Sequence, residues 1–301
     1  MEERNYLCVD PDGPKKEDRE IDRLRNLTFG SLEEKCRYYQ KLGDFRLREN
    51  NYILVHVDGR SFSRMVKKRF KRPFDDNFIN MMNETAKYLC ENVSGVKMAY
   101  VQSDEITLVC ADFCEENSNA QHFFGGRLCK MQSVIASLAT CKFNRLFEIY
   151  LLNNTDVCDC ITALENTPLF QFDCKCWNVY SSNDAYAWVL YRQIDCVRNS
   201  KEQAAQAKFS HKELWGKDTD AQVAMLKEVH NIDWNEYPDG QKYGRFVIKR
   251  EIKMSRVNED GSIDEFNRNK WYIEDAYPLT EEGNKERLFE DVPVFKVNIN
   301  A

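Results

Sequence analysis

The run Tyr52-Ile53-Leu54-Val55-His56-Val57 is apolar and partly β-branched, and it stops abruptly at Asp58-Gly59. Apolar side chains at successive positions, without polar alternation, mark a strand covered on both faces and therefore central in a sheet. Asp58 sits at its C-terminal end. Beyond it, Asp75 or Asp76 can cap a helix whose Phe78, Met81, Met82, Thr85, Tyr88 and Leu89 recur at three- and four-residue spacing, ending near Asn92 to Gly95. Val96 to Val101 and Ile106 to Val109 flank the polar tip Gln102-Ser103-Asp104-Glu105, which reads as a β-hairpin. A second long helix follows, with Phe124, Leu128, Met131, Ile135, Leu138 and Leu146 on its core side, and a fourth strand is expected between Ile161 and Phe172. The order β, α, β, β, α predicts an α+β fold: a four-stranded antiparallel sheet backed by two helices on one face, the ferredoxin-like plan.

Around this domain, assigned to residues 51–180, the texture differs. Residues 1–50 are a polar N-terminal segment with a charge run from Lys15 to Arg25 and a helix from Ser31 to Leu42, opened by the capping-box pair Ser31 and Glu34. Residues 181–260 carry a helix around Ala185 to Ala207, another from Asp218 to Val229, and an aromatic, basic strand pair around Tyr243 to Ile252. No Gly, Ser or Pro-rich linker separates them, so they are expected to form a module packed on the first domain. Residues 261–301 read as a loop-rich extension.

No stretch approaches the roughly 18 apolar residues that cross a bilayer, and the first residues are charged where a secretory signal is apolar. The expectation is a soluble, intracellular, cytoplasmic protein with no membrane contact. Twelve cysteines are then expected to be mostly reduced and buried. Cys158, Cys160, Cys174 and Cys176 could close a tetrahedral zinc site, but C-x-C is not the usual C-x2-C spacing and a strand would merely put such thiols on one face, where they pack. With 43 basic and 49 acidic residues the net charge is −6, so any nucleic-acid contact must be local. Lys67, Lys68, Arg69, Lys71 and Arg72 form the one dense basic run.

If the central strand lies beside the hairpin, Asp58 and Asp104 arrive on one edge of the sheet. Two carboxylates so placed raise each other's pKa unless a cation relieves them, which suits either an acid/base pair or a divalent-metal site. Oxygen ligands favour magnesium over zinc, and magnesium needs only one or two carboxylates when substrate phosphates supply the rest. Asp58, the Gly59 carbonyl and Asp104 would suffice, with Glu105 pointing to the other face of an extended hairpin.

These residues resemble a known family. His56-Val57-Asp58-Gly59-Arg60-Ser61-Phe62 resembles the R-x-D-G-R-x-F motif of tRNA-His guanylyltransferases, and Gln102-Ser103-Asp104-Glu105 their Q-S-D-E. Phe70-Lys71-Arg72-Pro73-Phe74-Asp75 is similar to F-x-K-P-N-D, and Phe172-Asp173-Cys174-Lys175 to F-D-x-R. Tyr191-Arg192-Gln193-Ile194-Asp195-Cys196-Val197-Arg198-Asn199-Ser200 resembles the W-R-Q-x-D-x-x-R-N-S helix of the bacterial and archaeal guanylyltransferase-like branch; Phe209 to Leu214 and Gly244-Arg245-Phe246 continue the likeness, which spans residues 51–250 in order.

The resemblance implies a polymerase-like palm that adds nucleotides to the 5′ end of tRNA in the 3′-to-5′ direction. ATP or GTP would first activate a 5′-monophosphate, and the 3′-hydroxyl of an incoming nucleotide would then attack it, with two magnesium ions as cofactors. By the resemblance Asp58, Gly59 and Asp104 hold metal, and Asp58, Asp104 and Glu105 are catalytic. Nucleotide or phosphate contacts fall on Gly59, Arg60, Ser61, Phe62, Arg72, Asp75, Ser103, Arg127, Lys130 and Asn199. His211 and Lys212 resemble tRNA contacts and a homotetramer is implied; Lys67 and Lys68 of the basic run, with Arg198, are expected to meet tRNA as well. His56, Arg72, Phe74 and Lys175 depart from the motifs, and Lys175 cannot reproduce an arginine's bidentate fork. Asp195-Cys-Val-Arg-Asn-Ser stands where enzymes dedicated to tRNA-His carry H-I-N-N, which points to the branch resembling a 5′-end repair polymerase. The alternatives are addition of a single G to tRNA-His and, more distantly, a palm-type nucleotidyl cyclase.

Overall fold

The computed structural model describes residues 28–111, 122–257 and 262–292. The chain divides into two units, Met1–Phe45 and Arg46–Ala301. In the first, helix α1 (Leu32–Leu42) begins where Ser31 accepts a bond from the Glu34 amide. Glu34 reaches past Ser31 and accepts instead from the Gly30 amide at 2.8 Å, a displaced version of the expected capping box. The charge run from Lys15 to Arg25 lies outside the described residues.

The second unit is built on one antiparallel sheet. Its strands are β1 (Tyr52–Gly59), β2 (Val96–Gln102), β3 (Glu105–Cys110), β4 (Phe172–Val179), β5 (Arg245–Val257) and β6 (Ile263–Asp275), in spatial order β4-β1-β3-β2-β5-β6. β1 is central, as its unbroken apolar run required. Period-two alternation sends Ile53, Val55 and Val57 into one core and Tyr52 and Leu54 into another. The first core is closed by α3 (Asp76–Asn92) and α4 (Leu128–Asn154), the two helices expected on one face. On the opposite face lies α6 (Ser182–Gln206), whose Ala185, Tyr186 and Val189 pack on Leu54, Met98 and Tyr100. The α+β palm architecture thus carries helices of the appended region on its other side.

Three expectations are corrected. The apolar run before Phe172 is a helix, α5 (Val157–Glu165), with Cys160 buried and Ile161 half exposed; the fourth strand starts only at Phe172. Short apolar runs cannot be assigned to helix or strand by periodicity alone. Cys158 and Cys160 therefore lie on a helix, while Cys174 and Cys176 share one face of β4 with sulfurs 3.8 Å apart. No group of three or more His, Cys, Asp or Glu placed to hold a metal occurs among the described residues, so the zinc alternative finds no support there. Finally, the region beyond 261 is not loop-rich: β6 pairs with β5 over thirteen positions, from Arg245 with Asp275 to Val257 with Ile263. The outer part of both strands is exposed, with Val257, Ile263 and Phe266 scattered among charged and polar residues, so it buries no face that would mark a strand in the sequence. The remaining elements are α2 (Phe62–Arg69), α7 (His211–Leu214), α8 (Thr219–His230), α9 (Asp239–Tyr243) and α10 (Asn284–Asp291). No described helix is long and apolar enough to cross a membrane.

Candidate active site

Antiparallel pairing decides where the acids go. β1 ends where β3 begins, with Asp58 opposite Glu105 and, on its other side, opposite Asp173 of β4. The β2–β3 hairpin turns through Ser103, in the left-handed region at φ 45°, and Asp104. The Gly59 amide donates to the Asp104 carbonyl at 3.0 Å, so the end of β1 is tied directly to the hairpin tip. Gly59 is required by space: a Cβ there would lie 2.6 Å from the Phe62 ring and 2.9 Å from the Asp104 Cβ. The Phe62 ring is itself fixed, with centroids 4.9 Å from those of both Phe170 and Phe172.

Burial, with the Asp58 charge adding to it, pushes the Asp104 carboxyl up to about 6, although Ser103 Oγ donates to its Oδ1 at 3.0 Å. Asp58 is also raised, by burial and then by Glu105 and Asp173, with His56 and Lys175 opposing. Two acids held at one sheet edge, the Asp58 charge raising Asp104 and Glu105 and Asp173 raising Asp58, fit a divalent cation that would draw its remaining ligands from substrate. Asp58, the Gly59 carbonyl and Asp104 are the groups that would hold it.

Glu105 has a different environment. Its carboxylate accepts from Arg192 through both Nε, at 3.0 Å, and a terminal nitrogen, and from Gln102 Nε2 at 2.9 Å. Arg192 also donates to Asp195 at 2.9 Å, and Asp195 accepts from Arg198 and, at 3.3 Å, from Asn199. His56, edge-on to Trp188, stands 3.8 Å from Glu105; burial and then Arg192 lower its pKa, so the ring is kept neutral rather than serving as the motif's arginine would. A chain of alternating charges thus joins the sheet edge to α6.

Beside the hairpin tip opens a cavity of ≈ 260 Å³. Of the residues picked out from sequence, Phe62, Lys67, Arg72, Asp75, Ser103, Asp104 and Asn199 line it. Asp75 does so while holding the loop, accepting from the amides of Lys71 at 2.8 Å, Asn77 at 2.9 Å and Phe78 at 3.1 Å. The cavity wall does not include Asp58, Gly59, Arg60, Ser61, Glu105, Arg127, Lys130, Arg198, His211 or Lys212. Ser61 sits before α2 at φ 59° and makes no side-chain cap. Arg127 precedes α4, and Lys130 lies 4.6 Å over the Phe124 ring. His211 tilts against Trp215 at 5.4 Å, with Lys212 exposed beside it. The Lys68 side chain lies outside the described residues.

Sequence reading missed much of the wall. Phe70, Phe74 and Phe78 make its apolar part, and Gln102, Gln203, Gln241 and Arg245 its polar part. Gln102 Oε1 is buried without a hydrogen-bond partner among the described residues, an acceptor available to a ligand. Phe70, Phe74, Gln102 and Arg245 stand within the family-like motifs and Phe78 in the helix stripe, but none carried an assigned contact; Gln203 and Gln241 gave no signal.

A family model described as tRNAHis guanylyltransferase matches residues 33–181. An uncharacterized protein of Acanthamoeba polyphaga mimivirus is 27% identical over 243 residues, covering 78% of this chain and 82% of its own length. A probable tRNA(His) guanylyltransferase of Dictyostelium discoideum is 24% identical over 218 residues, 69% of this chain and 78% of its own. Among solved structures, a bacterial tRNA(His) guanylyltransferase-like protein in complex with ATP aligns with TM-score 0.70 at 26% identity, covering 87% of this chain and 99% of that one.

Proposed function

Given that the chain belongs to the tRNA-His guanylyltransferase-like family, we propose that it is a nucleotidyltransferase adding nucleotides to the 5′ end of tRNA in the 3′-to-5′ direction, copying the opposing strand. The observation that carries this reading is the convergence of Asp58 and Asp104 on one sheet edge beside a cavity lined by Lys67, Lys71, Arg72 and Asn199. Paired acids next to a cationic, part-aromatic cavity suit a nucleoside triphosphate better than an uncharged substrate.

Magnesium held by Asp58, the Gly59 carbonyl and Asp104 would supply the charge that steadies the transferring phosphate and the departing pyrophosphate. The chain's own residues do the rest. Ser103 and Asn199 orient the nucleotide at the hairpin tip, Asp75 keeps the Lys71–Phe74 loop folded over it, and Phe74, edge-on to Tyr237 at 5.2 Å, helps exclude water. Arg192 holds Glu105 beside the acid pair, where its negative charge adds to the field a cation would sense.

Repair of 5′-truncated tRNA is favoured over addition of one G by Asp195-Cys196-Val197-Arg198-Asn199, the sequence typical of the guanylyltransferase-like branch; here Asp195 is joined to Glu105 through Arg192, while Cys196 and Asn199 line the cavity. No observation favours a cyclase. The decisive experiment incubates 5′-monophosphorylated tRNA lacking its first nucleotide with ATP, magnesium and each nucleotide in turn. Extension by the nucleotide complementary to the opposing base supports the reading, extension only of full-length tRNA-His by G selects the alternative, and no extension under any condition sinks both.

A further inference from the structure

Arg245 is a largely buried cation that the acid pair does not account for. It opens β5 opposite Val101, one residue before the hairpin tip, and so lies on the same edge of the sheet as Asp58 and Asp104, one strand beyond the hairpin. Its side chain is 13% exposed and lines the cavity, whereas Lys67, Lys71 and Arg72, the other cations of that wall, are exposed. A guanidinium taken out of water normally has a close, well-aligned carboxylate. The ion pair recorded for Arg245 is with Asp275, at 3.7 Å and itself half exposed. Asp76 is the other acid near enough to be felt; neither offsets the burial, which lowers the Arg245 pKa.

The setting is built to hold that charge where it is. Gly244 precedes it at φ 82° with its Cα pressed on β2, a Cβ there falling 2.6 Å from the Val101 carbonyl. Gly240 leaves the space that Asp275 and Arg245 occupy: a Cβ would lie 2.2 Å from Asp275 Oδ1 and 2.9 Å from an Arg245 terminal nitrogen. Two close backbone approaches thus keep the guanidinium at the cavity wall.

We propose that Arg245 is a phosphate anchor of the nucleotide site, receiving the polyphosphate of a nucleoside triphosphate whose reacting phosphate lies at Asp58 and Asp104. This rests on the reading of the cavity as a nucleotide site and adds a direction to it: the phosphate chain runs across the strand ends from β1 toward β5. Planar bidentate donors suit phosphate oxygens, and in a desolvated setting the attraction is stronger and less screened by salt than at the exposed rim.

The test is equilibrium binding of ATP and of adenosine to the full chain with magnesium, at two salt concentrations and without RNA. Arg245→Gln should weaken ATP by about 10- to 100-fold, the range of a hydrogen bond to a charged group, and leave adenosine unchanged. Lys71→Gln should weaken ATP less and flatten its salt dependence. Equal weakening of ATP and adenosine, or unchanged ATP binding, overturns the assignment. Should Arg245→Gln not fold, Asp275→Asn carries the test: freeing the guanidinium from its carboxylate should tighten ATP, and weaker ATP binding overturns the proposal. Failure to extend RNA with wild-type protein would sink the proposed activity, whereas loss of the ATP-over-adenosine response sinks only Arg245.

Discussion

At the scale of single residues, the site depends on close approach as much as on charge. Gly59→Ala introduces a methyl group within 2.6 Å of the Phe62 ring, which packed neighbours prevent from moving. Overpacking of this kind costs about 1–3 kcal/mol, so a lower urea midpoint is expected together with lost activity. Asp58→Asn and Asp104→Asn should behave in the opposite way. Each removes a charge from a repelling pair, so stability should hold or rise while 5′-end addition falls by about 100-fold or more, the scale of losing one electrostatic stabiliser of a transition state. A fall in both stability and activity would assign the acids a structural role. Arg192, 10% exposed at the side chain, bridges Glu105 and Asp195. Arg192→Ala leaves the half-buried Glu105 without its cation and Asp195 with Arg198 alone, and should cost about 1–3 kcal/mol in chemical denaturation, while Arg192→Ala combined with Glu105→Gln should recover part of it.

At the scale of elements, what was legible in the sequence follows the strength of the local pattern. β1 and the Gln102-Ser103-Asp104-Glu105 tip were legible because a fully apolar strand and a polar turn between two apolar runs admit few alternatives. The Asp75 cap and the stripe of α3 were legible for the same reason. The strand placed between Ile161 and Phe172 failed because nine residues of mixed cysteine, threonine and alanine satisfy helix and strand equally. β6 failed because its outer side chains bury nothing. That exposure has a consequence. Replacing residues 255–265 by a two-residue turn should leave the thermal midpoint within a few degrees and ATP binding unchanged, since none of the described side chains removed is buried. A loss of ten degrees or more would mean that the outer hairpin supports the sheet.

At the scale of the molecule, a chain of net charge −6 must bind a polyanion through a local field rather than an overall one. Position, not number, gives the basic run its use: α2 begins at Phe62, against Gly59, and its C-terminal end carries Lys67 to the cavity, followed by Lys71 and Arg72 on the loop that Asp75 holds. The sequence displayed those cations but not their place, because only the packing of Phe62 and Phe70 among Phe78, Phe143 and Phe147 folds that segment back over the hairpin tip. Counterion release then sets a quantitative expectation: each phosphate contact removed lowers the slope of log affinity against log salt by about 0.7 to 0.9. Lys67→Gln, Lys71→Gln and Arg72→Gln together should therefore reduce the salt slope of tRNA binding by about two to three, measured by filter binding over a range of salt. Arg245→Gln should leave that slope almost unchanged while weakening ATP relative to adenosine. If the triple variant keeps the wild-type slope, RNA phosphates are met elsewhere on the surface and the cationic wall serves the nucleotide alone.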